Sequence, residues 1–222
     1  MLPARREQQI PRPPRRTRDD NVALESGFKL SHYDYFGVFG LPRKLALDAA
    51  ALEARFHQLS WKLHPDNFAG AGEAERALAI ERSSQLNDAY RTLREPLSRV
   101  EYLLALAGMR KEGQQKQQAP PELLEEVFEL NESLDELRAG GDPGKLAGLR
   151  KRLQGAREAF RGKLAEVDRG LEKLFAEWDR AVEAGASGPA QQQLMERMNE
   201  ALNRRSYIRN LVESVEKELA ED

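Results

Sequence analysis

Apolar and polar residues alternate along this chain with the period of a helix, and the clearest example follows Asp48. The apolar side chains there, Leu52, Phe56, Leu59 and Leu63, recur at intervals of four, three and four residues. This spacing places them on one face of a helix. Because Asp is a common N-cap residue, the pattern predicts an amphipathic helix that starts at Asp48, ends at Leu63 and buries that face.

A second long helix is predicted after the Gly-Ala-Gly stretch at 70–72, and Pro96 ends it. Its apolar positions are Ile80, Leu86, Tyr90 and Leu93. A short apolar helix follows over 97–106, and the aromatic stretch YDYFGVFGLP supplies a short first element that Gly and Pro close. Residues 31–108 are therefore predicted to form a small antiparallel helical hairpin with short flanking helices.

The second half of the chain follows a polar segment, MRKEGQQKQQAPP, which predicts a linker at 109–121. Three further helices are predicted at 122–138, at 145 to about 184, and from 191 to the C-terminus. The middle one carries a long apolar stripe: Leu146, Leu149, Leu153, Ala156, Phe160, Leu164, Val167, Leu171, Leu174 and Trp178. Because short turns separate these helices, 122–222 is predicted to be an antiparallel three-helix bundle in an all-α protein.

Composition excludes several classes of protein. The 222 residues carry a formal net charge of −2, so nucleic-acid binding is not the default expectation. The sequence contains no run of about 18 apolar residues, so no membrane span is predicted, and no apolar segment resembles a secretory signal. Cys is absent, which removes disulfides, thiol nucleophiles and thiolate ligands. We expect a cytoplasmic protein that binds neither nucleic acid nor membrane and needs no cofactor.

Residues 1–30 are rich in Pro and Arg and show no helical or strand period. This composition predicts a disordered tail. Its arginines could contact a polyanion or serve as a transit segment, but Glu7, Asp19 and Asp20 weaken the transit interpretation. No function is assigned to the tail.

The predicted hairpin turns at a His-Pro-Asp tripeptide. Pro65 cannot continue the helix and favours an extended His64, so a loop is predicted. A catalytic His64 would need a nucleophile, and the chain has no Cys and no Gly-x-Ser-x-Gly motif. His64 and Asp66 are also only two residues apart on a loop, where they cannot easily orient one another as a catalytic triad requires. His57 and His64 alone are too few ligands for a metal. We predict no catalytic and no metal site.

Placed between two antiparallel helices and after DYFGVFGLP, the tripeptide resembles the J-domain of co-chaperones that stimulate ATP hydrolysis by DnaK-type heat-shock chaperones. The resemblance implies that His64, Pro65 and Asp66 form the chaperone-contacting loop, in which Asp66 pairs with an arginine of the chaperone. It also implies that basic residues of the preceding helix meet an acidic surface. Arg55 and Lys62 share one face of that helix and can supply the charge.

Two departures from the J-domain pattern bear on the chaperone. A basic residue usually follows the Asp of the tripeptide, whereas this chain has Asn67. The preceding helix has Glu53, His57 and Gln58 where generalist J-domains tend to be basic. The resemblance then implies a weaker contact or a specialised chaperone.

The stretch LNDAYRTLREPLSRVEYLLALAG, residues 86–108, resembles the same segment of the HscB family, the J-type co-chaperones of iron-sulfur cluster assembly. Together with the aromatic stretch before the hairpin and the bundle, the resemblance covers about residue 33 to the end. The Cys-based zinc module of some eukaryotic members is missing, which favours a bacterial-type protein.

The first bundle helix carries more apolar residues than its core needs. One arc of its helical wheel holds Leu123, Val127, Leu130, Leu134 and Leu137. A second arc holds Leu124, Phe128, Glu125, Glu129, Glu132 and Glu136. Large apolar side chains ringed by carboxylates indicate a partner surface, although a wide bundle could bury them. Tyr207 lies about a third of a turn from the apolar stripe of the last helix and is a candidate for the same surface.

In HscB-like proteins the corresponding face docks the scaffold on which iron-sulfur clusters are built. The resemblance therefore implies scaffold-binding roles for Leu124, Phe128, Glu129, Glu132, Glu136 and Tyr207. Glu125 stands where an apolar residue, often Met, is usual, and it makes the surface more acidic. An acidic rim predicts a basic patch on the scaffold and salt-sensitive association.

The implied function is that of a co-chaperone, not an enzyme. It would bind the iron-sulfur scaffold, deliver it to a DnaK/HscA-type chaperone and stimulate that chaperone's ATPase. Two alternatives stay open: a J-domain co-chaperone with a different client, and a structural helical adaptor whose His-Pro-Asp is only a helix stop.

Overall fold

The computed structural model describes residues 34–68, 70–110 and 120–220, in which every regular element is a helix. The first half holds α1 (Tyr35–Val38), α2 (Ala49–Leu63), α3 (Glu73–Arg94) and α4 (Pro96–Leu106). The second half holds α5 (Leu124–Ala139), α6 (Pro143–Glu183) and α7 (Pro189–Ala220). The all-α prediction is confirmed. The predicted tail at 1–30 and the central part of the predicted linker, 111–119, lie outside the described residues.

Helices α2 and α3 form the predicted hairpin. The Asp48 carboxylate accepts hydrogen bonds from the backbone N–H groups of Ala50 and Ala51, at 2.9 and 3.1 Å, so it caps α2 as predicted. Across the hairpin, the Phe56 ring of α2 stacks on the Tyr90 ring of α3, with centroids 4.2 Å apart. These aromatic rings and the apolar face of α2 bring the two helices together.

The core of the first half differs from the apolar pattern at one position. Leu86 and Leu93 are fully buried, but Ile80 is exposed and Ala79 is buried in its place. Adjacent helical residues point about 100° apart, so only one of these two neighbours can face α2. Ala79 is the one that faces the core.

The long apolar stripe of α6 packs as predicted. Its residues Leu149, Leu153, Phe160, Leu171, Leu174 and Trp178 are buried, and the remaining members are partly buried. The helix starts at Pro143, two residues before the predicted position, because Asp142 caps it by accepting from the N–H groups of Gly144 and Lys145. Gly140, with a φ of 74°, allows the chain to turn out of α5.

A buried carboxylate joins the two halves of the molecule. Asp179, near the end of α6, accepts hydrogen bonds from the backbone N–H of Leu45 at 2.6 Å and from that of Ala46 at 2.7 Å. Beside it, the Trp178 ring nitrogen donates to the Arg43 carbonyl at 2.8 Å. The loop between α1 and α2 is therefore bonded directly to the end of the long bundle helix.

Arg99 of α4 completes this joint. Its guanidinium is buried and donates to the carbonyls of Leu45 and Leu93. Burial lowers the pKa of the Arg99 guanidinium, and the charges of Asp179 and Glu95 oppose that shift. A buried cation and a buried carboxylate thus hold the same loop from opposite halves of the chain.

Candidate functional site

The His-Pro-Asp tripeptide forms a tight turn. α2 ends at Leu63, and a short 3-10 helix, Pro65–Phe68, follows at once. The Asn67 side-chain amide donates to the Trp61 carbonyl at 2.6 Å, and the Asn67 N–H donates to the His64 carbonyl at 3.0 Å. The predicted loop is therefore a short helical turn, and Asn67 helps to cap the C-terminus of α2.

The side chains of His64 and Asp66 lie close together on this turn, contrary to expectation. Nδ1 of His64 is 3.5 Å from Oδ2 of Asp66, and the Asp66 N–H points at the same ring nitrogen at 3.3 Å. The local 3-10 turn brings them together. Their exposed fractions are 56% and 88%, so both are open to a protein partner. Among the described residues, no group of His, Asp and Glu side chains could hold a metal.

Helix α2, which precedes the His64 turn, carries few basic side chains. Arg55 and Lys62 are both exposed, as a contact with a partner would require. The Arg55 guanidinium lies 3.5 Å from the side-chain oxygen of Gln58, and the His57 ring lies 3.8 Å from the Glu53 carboxylate. The helix thus has Arg55 and Lys62 as basic residues and Glu53 as an acidic one, and it lacks a Lys or Arg at 53, 57 and 58 as the sequence indicates.

The first bundle helix presents two large apolar side chains to solvent. Leu124 is 54% exposed and Phe128 is 71% exposed, whereas Val127 and Leu130 of the same helix are buried in the bundle core. The bundle is thus not wide enough to bury the second arc. We call this surface the α5 face, and it consists of Leu124, Phe128, Glu125, Glu129 and Glu132.

The carboxylates near Leu124 and Phe128 differ in their partners. Glu122, in the short 3-10 helix Pro121–Leu123 before α5, and Glu126 pair with Arg204 and Lys163 of the bundle, each at 3.0 Å. Glu125, Glu129 and Glu132 are exposed and form no ion pair within the part of the chain that the structure describes. The α5 face is therefore an apolar pair with uncompensated negative charge around it.

Two further residues of the predicted scaffold site are less accessible. The Glu136 carboxylate is half-buried and pairs with Lys145 at 3.3 Å. Tyr207 is also half-buried, because its ring packs against the bundle core around Leu123 and Ile208. Both side chains are therefore less open to a partner than those of Leu124 and Phe128.

The structure also shows functional candidates that the sequence did not single out. Trp61, in the last turn of α2, is 54% exposed beside the His64 turn. Its only sequence signal is its position outside the apolar stripe of α2. Asp179 and Arg99 likewise carry no periodic signal, because a buried charge on a helix cannot be distinguished from a solvated one in sequence. No described helix is long and apolar enough to cross a membrane.

Comparison with known proteins shows extended similarity. Residues 119–216, which include the α5 face, match the family model described as HSCB C-terminal oligomerisation domain. The chain is 37% identical over 151 residues to the co-chaperone protein HscB homolog of Vibrio vulnificus strain YJ016, which covers 68% of this chain and 85% of that protein. It is 36% identical over 167 residues to the co-chaperone protein HscB homolog of Azoarcus sp. strain BH72. This match covers 68% of this chain and 94% of that protein.

A solved structure extends this similarity to three dimensions. The crystal structure of human co-chaperone protein HscB superimposes with a TM-score of 0.53 at 26% sequence identity. The superposition covers 85% of this chain and 83% of the human chain. The similarity therefore spans both halves of the molecule.

Proposed function

Since this chain belongs to the HscB family of co-chaperones, we propose that it is a two-ended adaptor of iron-sulfur cluster assembly. The His64 turn contacts a DnaK/HscA-type chaperone and stimulates its ATPase. The α5 face binds the scaffold protein on which the cluster is built. The chain itself supplies binding surfaces, and the chaperone supplies the chemistry.

The observation that carries the proposal is the exposure of Leu124 and Phe128 on a helix whose core positions are already filled. Exposed apolar side chains of this size are typical of protein contacts, where a few such residues supply most of the binding energy. The carboxylates of Glu125, Glu129 and Glu132 surround them without ion-pair partners in the described residues. A scaffold with an apolar groove and a basic rim fits this surface.

The chaperone end is supported by the shape of the turn at His64. Local hydrogen bonds fix the backbone of the turn, and the side chains of His64 and Asp66 remain exposed. A partner can therefore bind them without first ordering the turn, which reduces the entropic cost of binding. Asp66 presents its carboxylate to an arginine of the chaperone, as charge-assisted hydrogen bonds require.

The joint at Asp179 lets one chain connect both events. With the loop before α2 bonded to the end of α6, a scaffold bound at α5 and a chaperone bound at His64 are held on one connected molecule. Tethering raises the effective concentration of each partner for the other. ATP hydrolysis then converts the chaperone to its tighter-binding ADP state, which retains the scaffold and promotes cluster transfer to acceptor proteins.

Replacing both Leu124 and Phe128 with alanine is expected to weaken scaffold binding about 30-fold or more, since apolar interface anchors contribute about 1 kcal/mol or more each. Isothermal titration calorimetry with the purified scaffold measures this change. Ile80→Ala is the matched control, because Ile80 is also a large exposed apolar residue but lies on α3. We expect it to bind the scaffold like wild type.

The carboxylates of the α5 face add a second expectation to the same titration. Raising the salt concentration should weaken wild-type binding, because salt screens exposed charges. An unchanged scaffold affinity in the double variant would contradict the assignment of the α5 face.

A further inference from the structure

Trp61 is a large aromatic side chain that faces solvent from the last turn of α2. It is 54% exposed, whereas the other tryptophan, Trp178, is 4% exposed and lies in the core. Leu63, two residues after Trp61, is buried, and two residues correspond to about 200° on a helix. The indole therefore lies on the side of α2 that faces away from α3.

Backbone hydrogen bonds place Trp61 in the same surface as the His64 turn. The Trp61 carbonyl accepts from the Asn67 side-chain amide at 2.6 Å and from the His64 N–H at 3.4 Å. The turn is thus folded directly onto the residue that carries the indole. The side chains of Trp61 and His64 are both exposed, and their residues are three apart in the chain.

Helix α2 carries two basic residues, Arg55 and Lys62, and one acidic residue, Glu53. Glu53 offsets the positive charge of the helix and lies near His57, and Arg55 lies near Gln58. Lys62 remains exposed beside Trp61. Because exposed charges contribute little when screened, an apolar anchor is the larger available source of affinity on this face.

We propose that Trp61 is a second contact for the DnaK-type chaperone and determines which chaperone is bound. This inference rests on the proposed function of the His64 turn. The indole inserts into an apolar depression of the chaperone, next to the site that receives His64, while Lys62 faces an acidic group at its rim. Trp combines a large apolar area with few rotatable bonds, which is why it is common among dominant interface residues. A chaperone whose surface opposite Trp61 is uniformly acidic and lacks an apolar depression would bind this protein more weakly.

The test is a titration of ATP turnover by the chaperone against increasing concentrations of this protein. We expect Trp61→Ala to raise the concentration for half-maximal stimulation about 10-fold or more and to leave the maximal stimulation unchanged. The half-maximal concentration of Trp61→Phe should fall between those of wild type and Trp61→Ala. That of Ile80→Ala should equal the wild-type value. An unchanged half-maximal concentration in Trp61→Ala would overturn the inference, and so would a loss confined to the maximal stimulation.

A binding readout separates this inference from the proposed function. The protein labelled with 5-fluorotryptophan has two tryptophans and should give two fluorine resonances, which Trp61→Phe assigns. Adding unlabelled chaperone with ATP should shift or broaden the Trp61 resonance more than that of Trp178. If wild type stimulates the chaperone while the Trp61 resonance does not respond, the Trp61 contact is wrong and the proposed function stands. If wild type stimulates no DnaK-type chaperone, the proposed function itself is wrong.

Discussion

His64→Gln is expected to abolish stimulation of the chaperone's ATPase and to leave ATP turnover at its basal rate. The His64 side chain is 56% exposed, and its Nδ1 lies near the N–H and the carboxylate of Asp66. Glutamine keeps the polarity and roughly the size of the side chain but removes the ring. The turn itself should persist, because the bonds from Asn67 to the carbonyls of Trp61 and His64 involve no imidazole atom. Steady-state ATP turnover with wild type and variant measures the effect.

Scaffold binding provides the control for this variant. The α5 face lies on a different helix, so His64→Gln should bind the scaffold with wild-type affinity. If His64→Gln stimulated the chaperone's ATPase as strongly as wild type, the tripeptide would only stop α2. The protein would then be a structural helical adaptor.

Asp179→Ala is expected to lower the free energy of unfolding by about 3 kcal/mol, because it breaks a buried charged network. The substitution leaves the N–H groups of Leu45 and Ala46 without their acceptor, and it removes one of the two carboxylates, Asp179 and Glu95, whose charges act on the buried Arg99 guanidinium. A buried polar group that loses its partner retains its full desolvation penalty. Urea unfolding followed by circular dichroism measures the change.

A nearby exposed pair is the matched control for Asp179. Lys44 and Glu183 join the same two halves at 2.6 Å, and this bond and the charge of Lys44 lower the pKa of the Glu183 carboxyl. Because Glu183 is open to solvent, Glu183→Ala should change stability little. Equal stability of Asp179→Ala and wild type would show that the buried joint does not hold the halves together.

The helices could be predicted from the sequence because they depend on local periodicity. The apolar stripe of α6 repeats every three or four residues, and the Asp48 cap lies next to the helix that it caps. Both predictions were confirmed. The joint could not be predicted in this way, since Asp179 and Leu45 are 134 residues apart. Nothing in the pattern around either residue specifies the other.

In the candidate surfaces, too, features set by one helix could be predicted from the sequence, and features set by packing between elements could not. The exposure of Leu124 and Phe128 follows from their place outside the core arc of α5, which the sequence defines. Tyr207 lies on α7, and its half-buried position depends on how α7 packs against α5 and α6, which a single helical wheel does not contain. The approach of His64 to Asp66 depends on a 3-10 turn that the His-Pro-Asp motif alone does not specify.

The proposed function requires one chain to connect a scaffold to a chaperone. The most direct test is the chaperone's ATP turnover with and without scaffold, measured with wild type and with the Leu124→Ala, Phe128→Ala double variant. We expect scaffold to increase ATP turnover with wild type, and we expect the double variant to give only the stimulation seen without scaffold. An equal scaffold-dependent increase with both proteins, or none with wild type, would contradict the proposed function.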